Sequence, residues 1–229
     1  MKFTTKRRKE ILNKVNFNKE YSINEAVDII KDLKALNFDE TIEIAINLGV
    51  DPRHADQNIR VTSSLPNGSG KKVKILVLSN ESDIKKSIDA GADYAGNDDF
   101  LQKLESGWSD IDTIVAHPSI MPKLGKLGKI LGPKGLMPNP KSGTVSSNVV
   151  NSVKDIKSGR IELRVDKNGI VHAPIGKKSF SSKHLVENYN SVLKTISGSK
   201  PPSFKGTFLK KITISSTMGP GLKIERVVV

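Results

Sequence analysis

The hydrophobic pattern of this chain changes twice, each time at a break that contains glycine. Outside the breaks apolar and polar residues alternate, as in Ile42 to Leu48, which is typical of strands with one buried face. Between the breaks, the runs from Val73 to Leu78 and from Ile111 to Ala116 are almost continuously apolar, which favours parallel strands covered on both faces. Helical candidates alternate with these runs, so the order of elements predicts an α/β unit.

The two patterns predict two domains, one of which interrupts the other. The two breaks would lie side by side as a hinge, because the outer pieces share a pattern that the middle piece lacks. We therefore expect residues 1–67 and 159–229 to form a split α+β domain. Residues 68–158 are expected to form an inserted, Rossmann-like α/β domain, so the predicted fold class is α/β with two domains.

Positive charge indicates the class of partner. The 229 residues include 37 Lys and Arg against 24 Asp and Glu, an excess that attracts polyanions. Nucleic acid is the first candidate, and an anionic membrane surface is the second. The outer parts carry 24 basic and 14 acidic residues and the insert carries 13 and 10, so the split domain should hold most of the attraction.

Several classes of protein are disfavoured by what the sequence lacks. The absence of cysteine excludes a disulfide framework, a thiolate metal site and a cysteine nucleophile. No apolar run approaches membrane-spanning length, and the basic N-terminus lacks the apolar core of a signal peptide. We therefore expect a cytoplasmic protein without membrane attachment.

Enzyme motifs are weak in this sequence. The segment GSGK, from Gly68 to Lys71, resembles the end of a phosphate-binding loop, but that motif requires glycine at Leu65 and Ser or Thr at Lys72. The histidines are scattered, and no nucleophile, base and orienting group can be assembled. We expect no catalytic residue, no cofactor and no metal site. A nucleotide-using enzyme built on the insert is the alternative, although Ser79-Asn80-Glu81 offers no glycine after the first apolar run.

Polar and basic strand faces are better candidates for a binding surface. Thr213, Ser215 and Thr217 fall on one face of a predicted strand. Arg160 and Arg164 give a second strand a similar face. Hydroxyl and guanidinium groups bind phosphate oxygens and ribose 2′-hydroxyls, although an ordinary solvated face has the same pattern.

Two short segments beside predicted strands could also approach a ligand. In Thr217 to Gly221 the glycines allow a close backbone approach and Met218 can pack against a ribose or base, but a tight turn fits equally well. Phe38 is either an exposed stacking group for RNA or a core residue, and composition alone favours the core. Because aromatic residues are few, recognition should rely on shape, phosphate and 2′-hydroxyl contacts.

The stretch from Gly128 to Val145, GKILGPKGLMPNPKSGTV, combines glycine, proline and lysine without an acidic residue. Glycine frees the backbone and proline stiffens it, so we expect a path that is neither helix nor strand. A long loop of this kind is usually functional or disordered, and the lack of repetition argues against disorder.

Segments spread in order over nearly the whole chain carry a resemblance to a known family. They are FDETIEI (38–44), LGVDPRHADQNIR (48–60), GADYAG (91–96), GKILGPKGLMPNPKSGTV (128–145), SGRIELRVDKNGIVHAPIGK (158–177), KGTFLKKI (205–212) and STMGPG (216–221). They resemble the universal family of large-subunit ribosomal protein L-one, in its bacterial form. The resemblance implies an α/β domain inserted in an α+β domain, and binding of large-subunit ribosomal RNA without catalysis or cofactor.

The resemblance also implies a role and partners. Members of the family form the mobile stalk beside the tRNA exit site of the ribosome, which is associated with release of deacylated tRNA. Bacterial members are similar to repressors that bind a look-alike site on their own operon mRNA. The implied partners are therefore ribosomal RNA, exit-site tRNA and that mRNA, for a protein that is a monomer when free. A purely messenger-binding regulator is a further alternative.

Carried over by position, the resemblance assigns the main RNA surface to the split domain. The implicated residues are Phe38, Thr41, Arg164, Thr217, Met218 and Gly219. This reverses the composition-based placement of Phe38 in the core. At Asn37 many relatives have lysine, so a phosphate contact at that position does not carry over. We expect only secondary, charge-driven RNA contacts from the lysines of the glycine-rich stretch, Lys129, Lys134 and Lys141.

Overall fold

The computed structural model describes residues 5–202 and 204–225, and within them the chain is divided into two units. The split unit combines the described residues of Met1–Gly70 and Ile161–Val229, and the inserted unit is Lys71–Arg160. Both units contain helices and strands, so the predicted fold class, α/β with two domains, is confirmed. Alternation in the sequence also predicts a last strand over 222–228, of which residues 226–228 lie outside the described part.

The elements follow one another in mixed order along the chain. The helices are α1 (Lys6–Lys14), α2 (Ile23–Asp32), α3 (Glu81–Asp89), α4 (Asp98–Glu105), α5 (Met121–Lys126), α6 (Gly128–Leu131), α7 (Val149–Lys157) and α8 (Ser182–Gly198). The strands are β1 (Thr41–Leu48), β2 (Arg60–Ser64), β3 (Ile75–Leu78), β4 (Tyr94–Gly96), β5 (Thr113–Ala116), β6 (Arg160–Arg164), β7 (Ile170–Lys177), β8 (Leu209–Ser216) and β9 (Leu222–Ile224). Single 3₁₀ turns occur at Ala55–Gln57, Pro118–Ile120 and Pro140–Ser142.

A four-stranded antiparallel sheet forms the centre of the split unit. Its strand order is β7-β1-β8-β9, so β1 has a partner on each side. Ile42, Ile44 and Ile46 of β1 are buried, because every second side chain of a strand lies on the same face. This face packs with α2 and α8 into one hydrophobic core. Strands β2 and β6 pair in a separate two-stranded sheet.

Helix α8 also fixes the segment through which the chain leaves the split unit. Asn188 of α8 is fully buried. Its side-chain oxygen accepts from the Asn67 N–H at 3.1 Å, and its amide nitrogen donates to the carbonyls of Gly68 at 3.0 Å and Ile175 at 2.7 Å. One side chain therefore satisfies three backbone groups and holds this segment against β7.

The inserted unit is built on a three-stranded parallel sheet with the order β4-β3-β5. Strand β3 is buried along its whole length. Leu76 and Leu78 pack in one core with residues of α4, α5 and α6, whereas Ile75 and Val77 pack in another with residues of α7. The continuous apolar run therefore has the predicted cause, since both faces of the strand are covered.

The glycine-rich stretch 128–145 contains regular structure, so the prediction of a path without helix is wrong. Its first four residues form α6, because Leu124, Leu127 and Leu131 recur at helical spacing and are buried, which outweighs the helix penalty of glycine. Farther on, Asn139 accepts from the Lys141 N–H at 2.8 Å. The Thr144 carbonyl accepts from the Ala116 N–H at 2.9 Å, which joins the stretch to the end of β5.

Asp112 directly precedes β5, and its carboxylate binds the start of the inserted unit. It accepts from the Lys71 ammonium and from the Lys74 N–H, the latter at 3.0 Å. The hydrogen bond from Lys71, followed by that from Lys74, lowers the pKa of Asp112 below its ordinary value. A carboxylate with a lowered folded-state pKa contributes stability above its unfolded pKa, about 4, and loses it as the pH falls through the folded value.

We therefore predict that Asp112→Asn lowers the urea midpoint of the inserted unit at neutral pH. The difference from the unmutated protein should shrink toward zero as the pH falls below about 4, because acid protonates the carboxylate anyway. Trp108, the only tryptophan, lies in this unit and reports its unfolding by fluorescence. Asp110→Asn is the control, since that side chain is 64% exposed and surface ion pairs contribute little. If the urea midpoint of Asp112→Asn stays below that of the unmutated protein at acid pH, this explanation is contradicted.

Candidate nucleic-acid interface

Five of the six residues predicted as main RNA contacts lie at one end of the four-stranded sheet. Thr41, the first residue of β1, pairs with Lys177, and Ile42 pairs with Ser216 at the end of β8. In an antiparallel pair one strand begins where its neighbour ends. The segment before β1 and the turn after β8 therefore come together at this end of the sheet. We call this edge, formed by Phe38, Thr41, Thr217, Met218 and Gly219, the Thr217 surface.

Thr217 is held rigidly against Thr41. The Thr217 N–H donates to the Thr41 carbonyl at 3.0 Å. Its hydroxyl accepts from the Thr41 N–H at 3.1 Å and lies 3.2 Å from the Thr41 carbonyl, to which it donates. Lys177 in turn donates to the Thr41 hydroxyl at 2.8 Å. A hydroxyl oxygen has two acceptor positions, so Thr217 keeps one for a ligand donor such as a ribose 2′-hydroxyl.

Two large apolar side chains are exposed on the same edge. Met218 is 60% exposed and Phe38 is 52% exposed. The placement of Phe38 in the core, favoured by composition alone, is therefore wrong; Leu33, at the end of α2, is the buried residue there. Exposed apolar groups beside rigid polar ones suit the faces of sugars and bases.

Gly219 makes the turn after β8 possible. Its N–H donates to the Ser216 carbonyl at 3.0 Å. A Cβ added at Gly219 would lie 2.3 Å from the Ser216 hydroxyl oxygen, so any side chain requires the turn to shift. The tight-turn interpretation of this segment is thus correct, and it is compatible with the close approach of a ligand.

A buried carboxylate beneath the Thr217 surface was missed by the sequence reasoning. Glu40 is 1% exposed, and its Oε1 accepts from the Ser216 hydroxyl at 3.2 Å and from the Met218 N–H at 3.1 Å. A signal was present, because Glu40 shares the period of two with the buried residues Ile42 and Ile44. An acidic residue in register with a buried face indicates a carboxylate that needs internal partners.

Arg164 is not part of this cluster. It is exposed at the end of β6, which belongs to the two-stranded sheet. The adjacent Val165 forms a bridge with Val171, which pairs with Ile46 five residues along β1 from Thr41. At about 3.3 Å per strand residue, Arg164 is displaced by roughly 17 Å along β1 from the Thr217 surface. It therefore makes a separate candidate contact on the same unit.

The lysines predicted as secondary contacts all lie on the inserted unit. Lys129, Lys134 and Lys141 are exposed. Lys134 donates to the Gly107 carbonyl at 3.3 Å, so it is partly engaged within its own unit. Exposed ammonium groups of this kind suit long-range attraction to phosphate better than specific recognition.

Two other kinds of site, a metal centre and a membrane span, are absent from the described part of the chain. There, no group of three or more His, Cys, Asp or Glu side chains could hold a metal ion. None of the helices assigned in residues 5–202 and 204–225 is long and apolar enough to cross a membrane.

The sequence is similar to known proteins over most of its length. The model of the ribosomal protein L1p/L10e family matches residues 29–220. The chain is 48% identical over 221 residues to the large ribosomal subunit protein uL1 of Protochlamydia amoebophila, covering 96% of this chain and 94% of the relative. It is 50% identical over 213 residues to the protein of that name from Chlorobaculum tepidum, covering 93% and 92%. The protein of the same name from Chlorobium phaeobacteroides is 48% identical over 221 residues, covering 96% of both.

Proposed function

The chain belongs to the ribosomal protein L1p/L10e family, and on this basis we propose that the Thr217 surface is its main contact with large-subunit ribosomal RNA. Family membership makes the protein a structural constituent of the large ribosomal subunit that binds ribosomal RNA, and so places it in the cytoplasmic ribosome. The relatives are ribosomal proteins, a family that is not enzymatic, and we propose binding without catalysis for this chain as well.

The observation that carries the proposal is the combination of rigid polar groups and exposed apolar side chains at one sheet edge. Thr217 and Thr41 are fixed by hydrogen bonds to each other, so they can meet an RNA fold without loss of side-chain freedom. Met218 and Phe38 are exposed beside them and can pack on ribose. Structured RNA is recognised largely through its shape and its 2′-hydroxyls, which fits a surface of this kind.

Charge supplies the second part of the proposed interaction. The full chain has a formal net charge of +13, most of it outside the insert. Phosphate contacts by Arg164 and by Lys129, Lys134 and Lys141 would add affinity that falls as salt concentration rises. Such contacts position the protein on RNA but do not select the site.

We further propose the finer roles that the sequence resemblance implies. The protein would form the mobile stalk beside the tRNA exit site, assist release of deacylated tRNA and repress translation of its own operon mRNA. A purely messenger-binding regulator is separated from a ribosomal protein by sedimentation, because only the latter travels with large subunits. Repression is tested with a reporter under the control of the operon leader, with and without extra copies of the protein.

Replacing Thr217 with valine tests the Thr217 surface. Valine has nearly the same shape but no hydroxyl, so the variant leaves an RNA partner at this position unsatisfied and also removes the hydroxyl's bonds to Thr41. We expect binding to a stalk ribosomal RNA fragment at fixed salt to weaken by about 1–3 kcal/mol. Thr213→Val is the matched control, since Thr213 lies on the same face of β8 but outside the surface.

The result also decides between the two units as the main binding site. An unchanged dissociation constant for Thr217→Val would remove the Thr217 surface from the interface. If neutralising Lys129, Lys134 and Lys141 abolished binding while Thr217→Val did not, the main contact would belong to the inserted unit. Thermal melting of every variant shows whether a lost affinity reflects lost folding.

A further inference from the structure

We propose that Glu40 and Arg7 are positioning residues for RNA recognition, which hold the Met218 backbone in the geometry that RNA requires. The inference rests on the proposed function of the Thr217 surface. It adds the first helix of the chain, α1, to the binding apparatus, although α1 contains none of the predicted contact residues.

The two residues hold both polar groups of the Met218 backbone. Glu40 Oε1 accepts from the Met218 N–H at 3.1 Å. Arg7 Nη2 donates to the Met218 carbonyl at 3.4 Å and to Glu40 Oε1 at 3.4 Å. The N–H and the carbonyl of the exposed methionine are thus fixed by one carboxylate and one guanidinium, which are themselves paired. Ser216 closes the arrangement, since its hydroxyl donates to the same carboxylate oxygen.

The burial of this pair points to positioning rather than to phosphate binding. Glu40 is 1% exposed, and the side chains of Arg7 and Lys178, its cationic neighbours, are 24% and 13% exposed. The carboxylate partly neutralises both cations, so they attract RNA phosphate less than free surface cations do. A buried ion pair adds little net stability, because desolvation offsets the attraction, whereas it fixes geometry.

Few contacts attach α1 to the rest of the split unit, so the hydrogen bonds of Arg7 are a large share of that attachment. No residue of α1 is fully buried. Ile11 packs, half-buried, against the core, Lys14 donates to the Asp32 carbonyl at 3.0 Å, and Arg7 Nη1 donates to the Lys34 carbonyl at 3.4 Å. Arg7 therefore joins three segments that are distant in sequence: α1, the segment before β1, and the turn after β8.

The test uses Glu40→Gln, Arg7→Met and the double variant in the full-length chain. Glutamine keeps an acceptor for the Met218 N–H but removes the charge, and methionine keeps most of the length of arginine. Lys9→Met is the matched control, because it removes the same charge from an exposed residue on the same helix. Binding to the stalk RNA fragment is measured over a range of salt concentrations, and the Met218 and Gly219 amide resonances are recorded by NMR.

We expect each single variant to weaken binding about tenfold, because Glu40→Gln replaces a charged hydrogen bond with a neutral one and Arg7→Met removes the charged donor. The slope of log affinity against log salt should stay unchanged, whereas loss of a phosphate contact reduces it by about 0.7–0.9. The double variant should be hardly weaker than either single one, because both act through the same pair. The two amide resonances should shift in these variants but not in Lys9→Met.

Several outcomes would overturn the inference. Equal weakening by Arg7→Met and Lys9→Met, with an equal loss of the slope of log affinity against log salt, would show that Arg7 acts only as a charge. Unchanged amide resonances would show that the pair does not set the turn, and if Glu40→Gln fails to fold, Arg7→Met alone decides. If Thr217→Val weakens binding but neither Glu40→Gln nor Arg7→Met does, this inference fails alone; if Thr217→Val is neutral, the proposed function fails.

Discussion

Replacing Gly219 with alanine is expected to weaken binding of the stalk ribosomal RNA by about 2–4 kcal/mol, with a smaller effect on folding. The added Cβ would lie 2.3 Å from the Ser216 hydroxyl oxygen. That hydroxyl donates to the buried Glu40, so it can rotate away only by losing this bond. If the turn widens instead, Met218 moves. Either response changes the surface that RNA meets, and refitting it in the complex reduces affinity.

A neighbouring glycine supplies the control for this prediction. A Cβ at Gly221 would meet only the Thr213 methyl group at 3.2 Å, which can give way by a few tenths of an ångström. Gly221→Ala should therefore bind within about twofold of the unmutated protein. Adding Ser216→Ala to Gly219→Ala removes the clashing oxygen and should recover part of the lost affinity. Equal affinity of the two glycine variants would contradict the steric explanation.

Replacing Asn188 with alanine is expected to destabilise the split unit by about 2–4 kcal/mol, the second large effect. The variant leaves the Ile175 and Gly68 carbonyls and the Asn67 N–H without the amide that satisfies them. The bond to Ile175 is buried, so water cannot easily replace it. Urea denaturation followed by far-UV circular dichroism measures the change, while Trp108 fluorescence follows the inserted unit separately.

Asn190→Ala is the matched control for this stability prediction. Asn190 lies on the same helix, two residues farther on, and is exposed. Its replacement should change stability by less than about 0.5 kcal/mol. An equal shift for both asparagine variants would mean that the helix rather than the buried amide is responsible. A shift in the Trp108 transition would mean that the effect is not confined to the split unit.

Much of the fold could be predicted from the sequence, because it depends on local periodicity. The alternation of Ile42, Ile44 and Ile46 predicts β1 and its buried face, and the continuous run in β3 predicts cover on both sides. Composition was misleading at Gly128–Leu131, where glycine predicted an irregular path. The helical spacing of the buried leucines across that segment is the stronger determinant.

The candidate site was less predictable, because it depends on residues that are far apart in sequence. Local rules placed Phe38 in the core, since they cannot show that the sheet edge leaves it exposed. The contact between Glu40 and Met218 spans 178 positions, and that between Arg7 and Met218 spans 211. No local pattern encodes such pairings. The family resemblance implies which residues contact RNA, but only the fold shows what holds those residues in place.

The way in which the insert is joined to the chain has a consequence for evolution. Within the split unit, β2 leads to the insert and β6 leads back, and these strands are hydrogen-bonded neighbours. Within the inserted unit, Lys157 near its end donates to the Val73 carbonyl near its start at 2.9 Å. The insert of about 90 residues is therefore, for the two-stranded sheet, a long loop between adjacent strands. Lengthening such a loop costs little conformational entropy. We therefore expect insertions and deletions within the insert to leave the pairing of β2 with β6 intact, so that the length of the insert can evolve independently of the split unit.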